Sequence, residues 1–571
     1  QLASAPRRLQ GTLHIGGQEH FYLETQISSV MPTEDGGMLV YTSTQNPTEV
    51  QKLVAEVLGV PMNKIVIDMR RMGGGFGGKE TQAAGPACLC AVIAHLTGRP
   101  TKMRLPRMED MSMTGKRHPF YVEYDVGFDD DGLLHGIEMD LAGNCGYSPD
   151  LSGSIVDRAM FHSDNAYFLG NATINGHRCK TNTASNTAYR GFGGPQGMVA
   201  IEEVMDAVAR SLGKDPLEVR KLNYYGKTER NVTHYHQTVE HNVIHEMTAE
   251  LEESAEYAKR REEIRAFNAK SPVLKKGLAM TPVKFGISFT ATFLNQAGAL
   301  IHIYTDGSIH LNHGGTEMGQ GLNTKVAQVV AEVFQVDIER IQITATNTDK
   351  VPNTSFLSFE EVIQKAYFGQ VSLSSTGFYR TPKIYYDRDK AAGRPFYYYA
   401  YGVACVEVLV DTLTGEYRML RGDILHDVGD SLNPAIDIGQ VEGAFVQGMG
   451  WLTMEELVWN AKGKLETCGP ASYKIPAIAD MPIDLRVKLV ENRKNPEDTV
   501  FHSKAVGEPP FMLGIAAWCA LKDAVASLAD YKVQPQIDAP ATPERVLWGV
   551  EQMRKLKATA KAASAAEVEP A

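Results

Sequence analysis

Leu53–Val60 reads LVAEVLGV and leads into Lys64–Ile67, and Val329–Val336 reads VVAEVFQV and leads into Arg340–Ile343. The second stretch starts 276 residues after the first (53 to 329) and keeps the same spacing to the segment that follows it. Self-similarity at a fixed offset is typical of duplicated architectures. The sequence therefore predicts a mixed α/β (α+β) fold with two related halves from an internal duplication, and a ligand site where they meet.

Each half is predicted to contain a strand, a loop, a helix and a second strand. In the first half the helix covers 47–58, and the second strand leads through a glycine-rich loop into another helix, 81–96. In the second half the helix covers 322–334 and the second strand 341–346. No counterpart of helix 81–96 follows, so a loop and helix on the order of 30 residues are expected to be deleted or disordered between Ser355 and Phe356.

The predicted domains are residues 1–230, a first α/β half, and residues 276–556, a second one. Residues 231–275, which include the charged stretch 250–270, are expected to form a solvated helical connector. An amphipathic helix is expected at 195–212, and a frayed Ala/Glu/Lys-rich tail at 557–571.

Composition limits the classes of function. The net charge of −11 argues against nucleic acid or an anionic membrane as the main partner. We expect no membrane span, since the apolar stretches are read as shorter than the ~18 residues that a span needs. The seven cysteines form no CxxC pair, which favours reduced thiols in the cytoplasm and predicts no iron–sulfur or zinc cluster in this chain. Because the chain begins at Gln1 with no signal peptide, it is expected to be a fragment or one piece of a larger chain.

Several loops could carry chemistry. The run Gly73–Gly78, GGGFGG, is expected to open a helix and expose backbone amides to an anion, although a flexible surface turn is the alternative. It matches neither a Rossmann nor a P-loop pattern. Gln45 and Gln320 occupy matching loops of the two halves, where each could cap a helix or bind a polar heterocycle or oxo group.

Two further loops add charged and aromatic candidates. Arg190 supplies forked donors for an anion, and Phe192 supplies a stacking face, although a single Phe of this kind more often belongs to the core. Glu508 precedes two prolines and an apolar helix, so it is either a helix-start residue or a general base.

Six long motifs occur in order along nearly the whole chain. Together they make it resemble the molybdenum-binding part of the xanthine dehydrogenase family of molybdenum hydroxylases. They are GGGFGGKE, NTAYRGFGGPQ, KFGISFT, GGTEMGQG, SLNPAIDIGQVEGAFVQG and SKAVGEPP.

The resemblance implies a molybdopterin cofactor between the two halves, in mononucleotide or dinucleotide form. Its molybdenum would carry oxo, sulfido and hydroxyl ligands and be held by the pterin dithiolene, with no direct side-chain ligand. Gln45 and the backbone of Phe76 would lie nearest the metal. FAD and 2Fe–2S clusters are expected on partner domains or subunits, in a higher-order hetero-oligomer. The implied cofactor-binding residues are Gln45, Phe76, Gly77, Arg190, Gly319, Gln320 and Gln440.

The resemblance also implies substrate contacts. Glu80 and Arg158 are charged, as in the family's purine-hydroxylating members, and would face each other across one pocket. Phe192 and Phe289 would hold the purine ring between them, one face-on and one edge-on, and Thr290 would add a polar contact.

The implied catalytic residues are Glu508 as general base, Arg158 stabilising negative charge on the purine, and Glu80 orienting the ring. The predicted function is molybdenum-dependent hydroxylation of hypoxanthine to xanthine and of xanthine to urate, with water as the oxygen source, in the cytoplasm. The alternatives are an aldehyde or other N-heterocycle hydroxylase and a cofactor-free assembly subunit. The family has a Pro-Thr-Ala-Ala-Ser-type loop after Ser355 that this chain lacks, and its loss would leave the cofactor pocket incomplete.

Overall fold

The structure, a computed structural model, describes residues 2–350, 370 and 372–566. The junction between Ser355 and Phe356, where a missing loop and helix are predicted, lies outside the described residues. The strands along the chain are β1 (Arg7–Ile15), β2 (Ile27–Pro32), β3 (Met38–Thr42), β4 (Ile65–Met69), β5 (Thr101–Arg104), β6 (Phe120–Phe128), β7 (Leu134–Gly146), β8 (Ala172–Lys180), β9 (Leu274–Ile287), β10 (Gln296–Ile303), β11 (Ile309–His313), β12 (Ile341–Ile343), β13 (Thr346–Asn347), β14 (Ser374–Arg380), β15 (Tyr385–Asp387), β16 (Ala392–Arg394), β17 (Tyr398–Asp411), β18 (Tyr417–His426) and β19 (Asp484–Leu489).

The α-helices are connected to these strands by loops and short 3₁₀ turns. They are α1 (Pro47–Leu58), α2 (Ala84–Thr97), α3 (Arg107–Met113), α4 (Ser152–Phe161), α5 (Gly194–Leu212), α6 (Pro216–Asn223), α7 (Ile244–Ser254), α8 (Tyr257–Lys270), α9 (Leu322–Phe334), α10 (Pro434–Thr453), α11 (Ile515–Ala526) and α12 (Pro543–Ala566).

The strands form two sheets of mostly long strands, which we call the large sheets, and two sheets of shorter strands, which we call the small sheets; β15 and β16 form a separate hairpin. The large sheets have the orders β1-β6-β7-β8 and β19-β18-β17-β9. The small sheets have the orders β13-β4-β3-β2-β5 and β12-β11-β10-β14. We call the small sheet of β2–β5 with α1 and α2 the first lobe, and the small sheet of β10–β12 and β14 with α9 the second lobe. This arrangement confirms the predicted mixed α/β fold.

The two lobes repeat one unit. In the first, β3 is followed by α1, a 3₁₀ turn and β4; in the second, β11 is followed by α9, a 3₁₀ turn and β12. The two strands of each unit pair in parallel, with Met38 opposite Ile65 and Ile309 opposite Ile341. Helices α1 and α9 have the predicted bounds. The duplicated helix–strand segments therefore fold alike.

The lobes contact each other at their sheet edges. The second-half strand predicted over 341–346 ends at Ile343, and Thr346–Asn347 instead pairs with β4 of the first lobe, with Thr346 opposite Met69. The amide of Met72 also donates to the carbonyl of Glu317, over 2.8 Å. The chain thus crosses from one lobe to the other beside both glycine-rich loops.

One hydrophobic core joins the large sheets. Its buried members extend from Leu13 to Met553 and come from both predicted domains. The first and second lobes have their own smaller clusters, around Val40 and Leu311. The boundary predicted at 231–275 therefore does not separate two cores, because sheets from both sides of it pack against α5 and α11.

Two helices depart from their predicted surroundings. Helix α5, expected to be amphipathic, is buried from Gly194 to Arg210, and its charged residues are paired, as in the contact of Glu202 with Arg220 at 2.7 Å. The charged stretch in α8, expected to be solvated, buries Arg260 and Arg261; Arg261 pairs with Asp523 at 2.5 Å. Burial of these charges is tolerated because each has an opposite charge as partner.

The C-terminal helices also differ from expectation. Pro509–Ala529 is long and apolar enough to cross a membrane by length and composition, contrary to the sequence estimate, but it packs inside the protein and is buried up to Ala526. The tail predicted to fray from residue 557 continues α12 as far as Ala566. Alanine has the highest helix propensity, which explains the longer helix.

Candidate active site

A cavity of about 630 Å³ lies where the two lobes meet the large sheets. Its size is within the range of small-molecule and cofactor sites. Its wall carries ten of the thirteen predicted site residues: Gln45, Phe76, Gly77, Glu80, Arg190, Phe192, Gly319, Gln320, Gln440 and Glu508.

The first glycine loop, residues 73–78, is held by Gln45. The side-chain oxygen of Gln45 accepts hydrogen bonds from the amides of Gly77 (2.9 Å) and Lys79 (3.3 Å). Gly77 has φ +100° and touches the carbonyl of Ala188 so closely that a Cβ would come within 2.7 Å of it. Helix α2 begins only at Ala84, so its dipole does not start at this loop as expected.

The matching loop of the second lobe holds itself. The amide group of Gln320 accepts from the backbone of Met318 (2.6 Å) and donates to the carbonyl of Thr316 (2.9 Å). The carboxylate of Glu317 accepts from the amide of Gly319 (2.8 Å). Both glutamines thus brace their loops while lying on the cavity wall, and neither caps a helix as the structural alternative predicted.

Arg190 connects three elements around the cavity. Its guanidinium donates from Nε to the carbonyl of Gly507 (2.6 Å), from Nη1 to Oε1 of Gln447 (3.1 Å) and from Nη2 to Oε1 of Gln440 (3.3 Å). Burial lowers the pKa of Arg190 to about 10, which leaves it charged at neutral pH. Because three of its five N–H groups go to protein acceptors, two remain for a ligand.

Glu508 lies at the cavity edge, between Gly191 and Arg158. Its Oε1 accepts from the amide of Gly191 (3.0 Å), and its Oε2 lies 3.6 Å from Nη2 of Arg158. The Glu508 side chain is 38% exposed, whereas that of Arg158 is 4% exposed. The carboxylate is therefore oriented from the protein side and open on the other.

Arg158 does not line the cavity, which corrects the expectation that it faces Glu80 directly. Its Nη2 donates to the carbonyl of Gly286 (2.7 Å), its guanidinium carbon lies 4.4 Å from the ring centre of Phe285, and its Nε is buried without a hydrogen-bond partner. It reaches the site through its contact with Glu508.

Glu80 is a second carboxyl on the wall. Burial raises its pKa to about 8, and the negative charges of Glu508, Asp150 and Glu49 raise it further in the same direction. At neutral pH the group is therefore mostly protonated and able to donate a hydrogen bond.

Phe192 and Phe289 contact each other, with ring centres 5.0 Å apart and the rings inclined at 56°. The contact of a purine face-on with one ring and edge-on with the other stays a prediction. Phe192 is buried and packs with Ile155 and Ala188. Phe289 and Thr290 lie behind it and do not line the cavity; Thr290 Oγ1 is buried without a partner.

Sequence reasoning missed Gln447, Tyr189, Glu19 and Glu455, which also line the cavity. Gln447 follows Gln440 by seven residues, or two turns of α10, and that spacing could have identified it. Glu455 accepts from Tyr473 (2.7 Å), and burial raises its pKa to about 8.

The residues present fit a large, flat cofactor. Gly319, Gly439, Gly443 and Gly507 line the cavity, and a Cβ added to any of them would meet nothing within 4 Å. Bare backbone on several walls leaves room for a group to approach closely. Among the described residues no cluster of three His, Cys, Asp or Glu side chains could hold a metal ion.

Comparisons with known proteins agree with this geometry. A family model described as a molybdopterin cofactor-binding domain matches residues 1–224, and a second one matches residues 250–356 and 354–482. Xanthine dehydrogenase/oxidase of Mus musculus is 46% identical over 585 residues, covering 95% of this chain, and xanthine dehydrogenase 1 of Arabidopsis thaliana is 44% identical over 596 residues, covering 96%. The chain spans 44% and 43% of the lengths of these two relatives.

Solved structures share the fold. Aldehyde oxidoreductase from Desulfovibrio gigas superposes with a TM-score of 0.84 at 24% identity, covering 96% of this chain and 62% of that one. Quinoline 2-oxidoreductase from Pseudomonas putida gives 0.82 at 21% identity, covering 96% and 77%. These identities establish the fold alone, and the family models with the sequence relatives establish the family. The chain belongs to the molybdopterin cofactor-binding domains of the xanthine dehydrogenase family.

Proposed function

We propose that this chain is the molybdenum-carrying catalytic part of a cytoplasmic enzyme that hydroxylates purines, hypoxanthine to xanthine and xanthine to urate, with water as the oxygen source. Identity of 44–46% to xanthine dehydrogenases over most of the chain supports the substrate class. The observation that carries the proposal is the position of Glu508 at the edge of the cofactor-sized cavity, held by the Gly191 amide and beside Arg158.

The molybdenum cofactor, when bound, supplies the two-electron acceptor for the hydroxylation. Gln45, Gly77, Gln320 and Gln440 would hold it from the two glycine-rich loops and α10, together with Phe76, Gly319 and the two free N–H groups of Arg190. Because the electrons must leave the cofactor after each turnover and the sequence has no cysteine pattern for an iron–sulfur cluster, we place FAD and iron–sulfur centres on other domains or subunits of a hetero-oligomer.

Glu508 acts as the general base. Its open oxygen accepts a proton at the cavity edge, while the amide of Gly191 and the cation of Arg158 keep the carboxylate oriented. A positioned base of this kind contributes about 10²–10⁴-fold to rate.

Glu80 and Arg158 favour a purine. The protonated Glu80 can donate a hydrogen bond to a ring nitrogen or carbonyl. Arg158, with its unpartnered Nε, carries positive charge next to the site and would stabilise negative charge on the ring. Phe192, which lines the cavity, would contact the flat ring of the substrate.

One observation favours the alternative, an aldehyde or other N-heterocycle hydroxylase. Arg158 does not line the cavity, and its Nη2 already donates to Gly286. A purine would therefore gain little binding energy from Arg158 that an aldehyde would lack. Steady-state kcat/KM for xanthine, hypoxanthine and an aromatic aldehyde on the molybdenum-loaded enzyme decides. We expect the purines to be preferred; a preference for the aldehyde would overturn the purine assignment.

A third candidate is an assembly subunit without cofactor, suggested by the junction between Ser355 and Phe356. The two matches to the second family model meet there, at 354–356, which supports a missing loop and helix in this sequence. Molybdenum measured in the purified protein separates the candidates: we expect one metal atom per chain, and a metal-free protein would favour the assembly subunit.

A further inference from the structure

Gln447 lies on α10 in the cavity wall and connects two consecutive residues of the loop that carries Arg190. Its side-chain Oε1 accepts from Nη1 of Arg190 (3.1 Å), and its Nε2 donates to the hydroxyl of Tyr189 (3.1 Å). A donor such as Arg cannot face the amide nitrogen, so the orientation of the amide is fixed. Gln447 is thus held at both ends of its side chain.

The contacts continue from Arg190 to Glu508. Arg190 donates from Nε to the carbonyl of Gly507, the residue before Glu508, over 2.6 Å. The next residue of the loop, Gly191, donates its amide to Oε1 of Glu508. The loop therefore holds the backbone and the carboxylate of the Glu508 segment at two points, and Gln447 holds the loop.

The far end of this chain of contacts is rigid. The Tyr189 ring stacks on His20, with 4.5 Å between ring centres, and the buried guanidinium of Arg117 lies 4.0 Å from its ring centre. The Tyr189 hydroxyl also donates to the carbonyl of Glu19 (3.2 Å). Movement of Gln447 would therefore shift Arg190 rather than the tyrosine.

Gln440, the other partner of Arg190, is placed differently. Its bond to Arg190 is longer, 3.3 Å, and the described residues provide no acceptor for its Nε2. Its amide can rotate toward the cavity, whereas that of Gln447 cannot. Of the two, Gln447 is the one built to hold Arg190 in place.

We propose that Gln447 is a positioning residue that, through Arg190, sets the orientation of the Glu508 carboxylate. The inference rests on the proposed role of Glu508 as general base. Misplacement of a catalytic group by about 1 Å can cost ~10²-fold in rate, so a smaller displacement through one intermediate residue is expected to cost about tenfold.

The variants are Gln447→Leu, which removes both hydrogen bonds of the Gln447 side chain at similar volume; Tyr189→Phe, which keeps the ring and removes the bond from Gln447 together with the one to the Glu19 carbonyl; and the double variant. Gln447→Glu serves as the conservative rescue, because its carboxylate can accept from Arg190 and from a Tyr189 hydroxyl turned toward it. Glu442→Leu is the control, since Glu442 is exposed on the same helix.

The first measurement needs no turnover. Hydrogen exchange of the Gly191 amide, which is bonded to Glu508 in the parent, is followed in protein without cofactor. We expect about tenfold faster exchange in Gln447→Leu and parent-like exchange in Glu442→Leu, with melting temperature unchanged in both. Parent-like exchange at Gly191 in Gln447→Leu would overturn the inference.

The second measurement uses the molybdenum-loaded enzyme. In Gln447→Leu we expect kcat about tenfold lower, KM within about twofold of the parent, unchanged molybdenum content, and recovery of most turnover in Gln447→Glu. The double variant is expected to be no slower than Gln447→Leu, because both substitutions break one chain of contacts. Additive losses, or no rescue, would overturn the inference; if Gln447→Leu does not fold, Tyr189→Phe and the rescue variant carry the same test.

Failure of this inference differs from failure of the proposed function. If Glu508→Ala is inactive while Gln447→Leu turns over like the parent, Glu508 remains the base and Gln447 is not its positioning residue. If Glu508→Ala keeps its activity, the proposed function fails whatever Gln447 does.

Discussion

Replacement of Glu80 by Gln tests whether a neutral, donating group is needed on the cavity wall. Burial raises the pKa of Glu80 to about 8, and three nearby carboxylates act in the same direction. The parent side chain therefore donates a hydrogen bond at pH 7 and loses that ability as the pH rises through 8. Gln has nearly the same shape and donates at every pH.

The size of the effect follows from the hydrogen bond that is lost. A buried bond removed from a substrate costs about 1–3 kcal/mol, or roughly 5- to 150-fold in kcat/KM. We expect the parent to lose this much between pH 7 and pH 9.5, and Glu80→Gln to lose much less. At pH 7 the variant should keep most of the parent's kcat/KM.

The same pKa has a consequence for stability. Because the folded-state pKa is raised above the ordinary 4.5, the folded state binds more protons than the unfolded state between about pH 4.5 and pH 8. The free energy of unfolding contributed by this group is therefore fully present below about pH 4.5 and is lost as the pH rises through 8. As the pH rises from about 4.5 to 8, the melting temperature of Glu80→Gln should therefore fall less than that of the parent.

The assay is kcat/KM for xanthine from pH 6 to pH 10, together with melting temperature, in the parent, Glu80→Gln and Glu442→Gln. The substrate is the same throughout, so its own ionisation cancels in the ratio of variant to parent. Glu442 is exposed and serves as the control. Identical pH profiles for the parent and Glu80→Gln would refute the reasoning, as would a Glu80→Gln enzyme that is inactive at pH 7 with full molybdenum content.

Other changes are expected to have separable effects. The double variant Arg158→Met, Glu80→Val should lower kcat/KM for xanthine relative to an aromatic aldehyde by roughly 10- to 150-fold, since a charge-assisted hydrogen bond is worth ~1.5–3 kcal/mol. If the ratio of the two kcat/KM values does not change, Arg158 and Glu80 have structural roles and do not select the substrate. Gly443→Leu should fill the cavity and lower the molybdenum content without lowering the melting temperature, whereas Gly85→Leu, at an exposed position, should keep the full molybdenum content. Full molybdenum content in Gly443→Leu would refute the cavity as the cofactor site.

The duplicated segments were predictable because they are local. Helices at 47–58 and 322–334, with the strands beside them, follow from apolar spacing, and Asn46 and Gly59 cap the first of these helices as such residues do. Local order of this kind depends on neighbours within a few positions, which one sequence displays directly.

Contacts between distant residues were not predictable in the same way. Arg158 and Glu508 are far apart in sequence and meet through the packing of α4 against the segment before α11. The closed contact of Phe192 with Phe289 and the burial of Arg260 and Arg261 likewise depend on which sheets meet, which no local pattern encodes. Gln447 was within reach, because heptad spacing from Gln440 places both on one side of α10.

Turnover of Glu508→Ala at full molybdenum occupancy tests the central claim most directly. Removal of the base alone should lower kcat by about 10²–10⁴-fold. Metal content and melting temperature should match the parent, because Glu508 contributes one hydrogen bond from the Gly191 amide and one ion-pair contact with Arg158. A variant that keeps more than roughly a tenth of the parent's kcat would contradict the assignment of Glu508 as the general base.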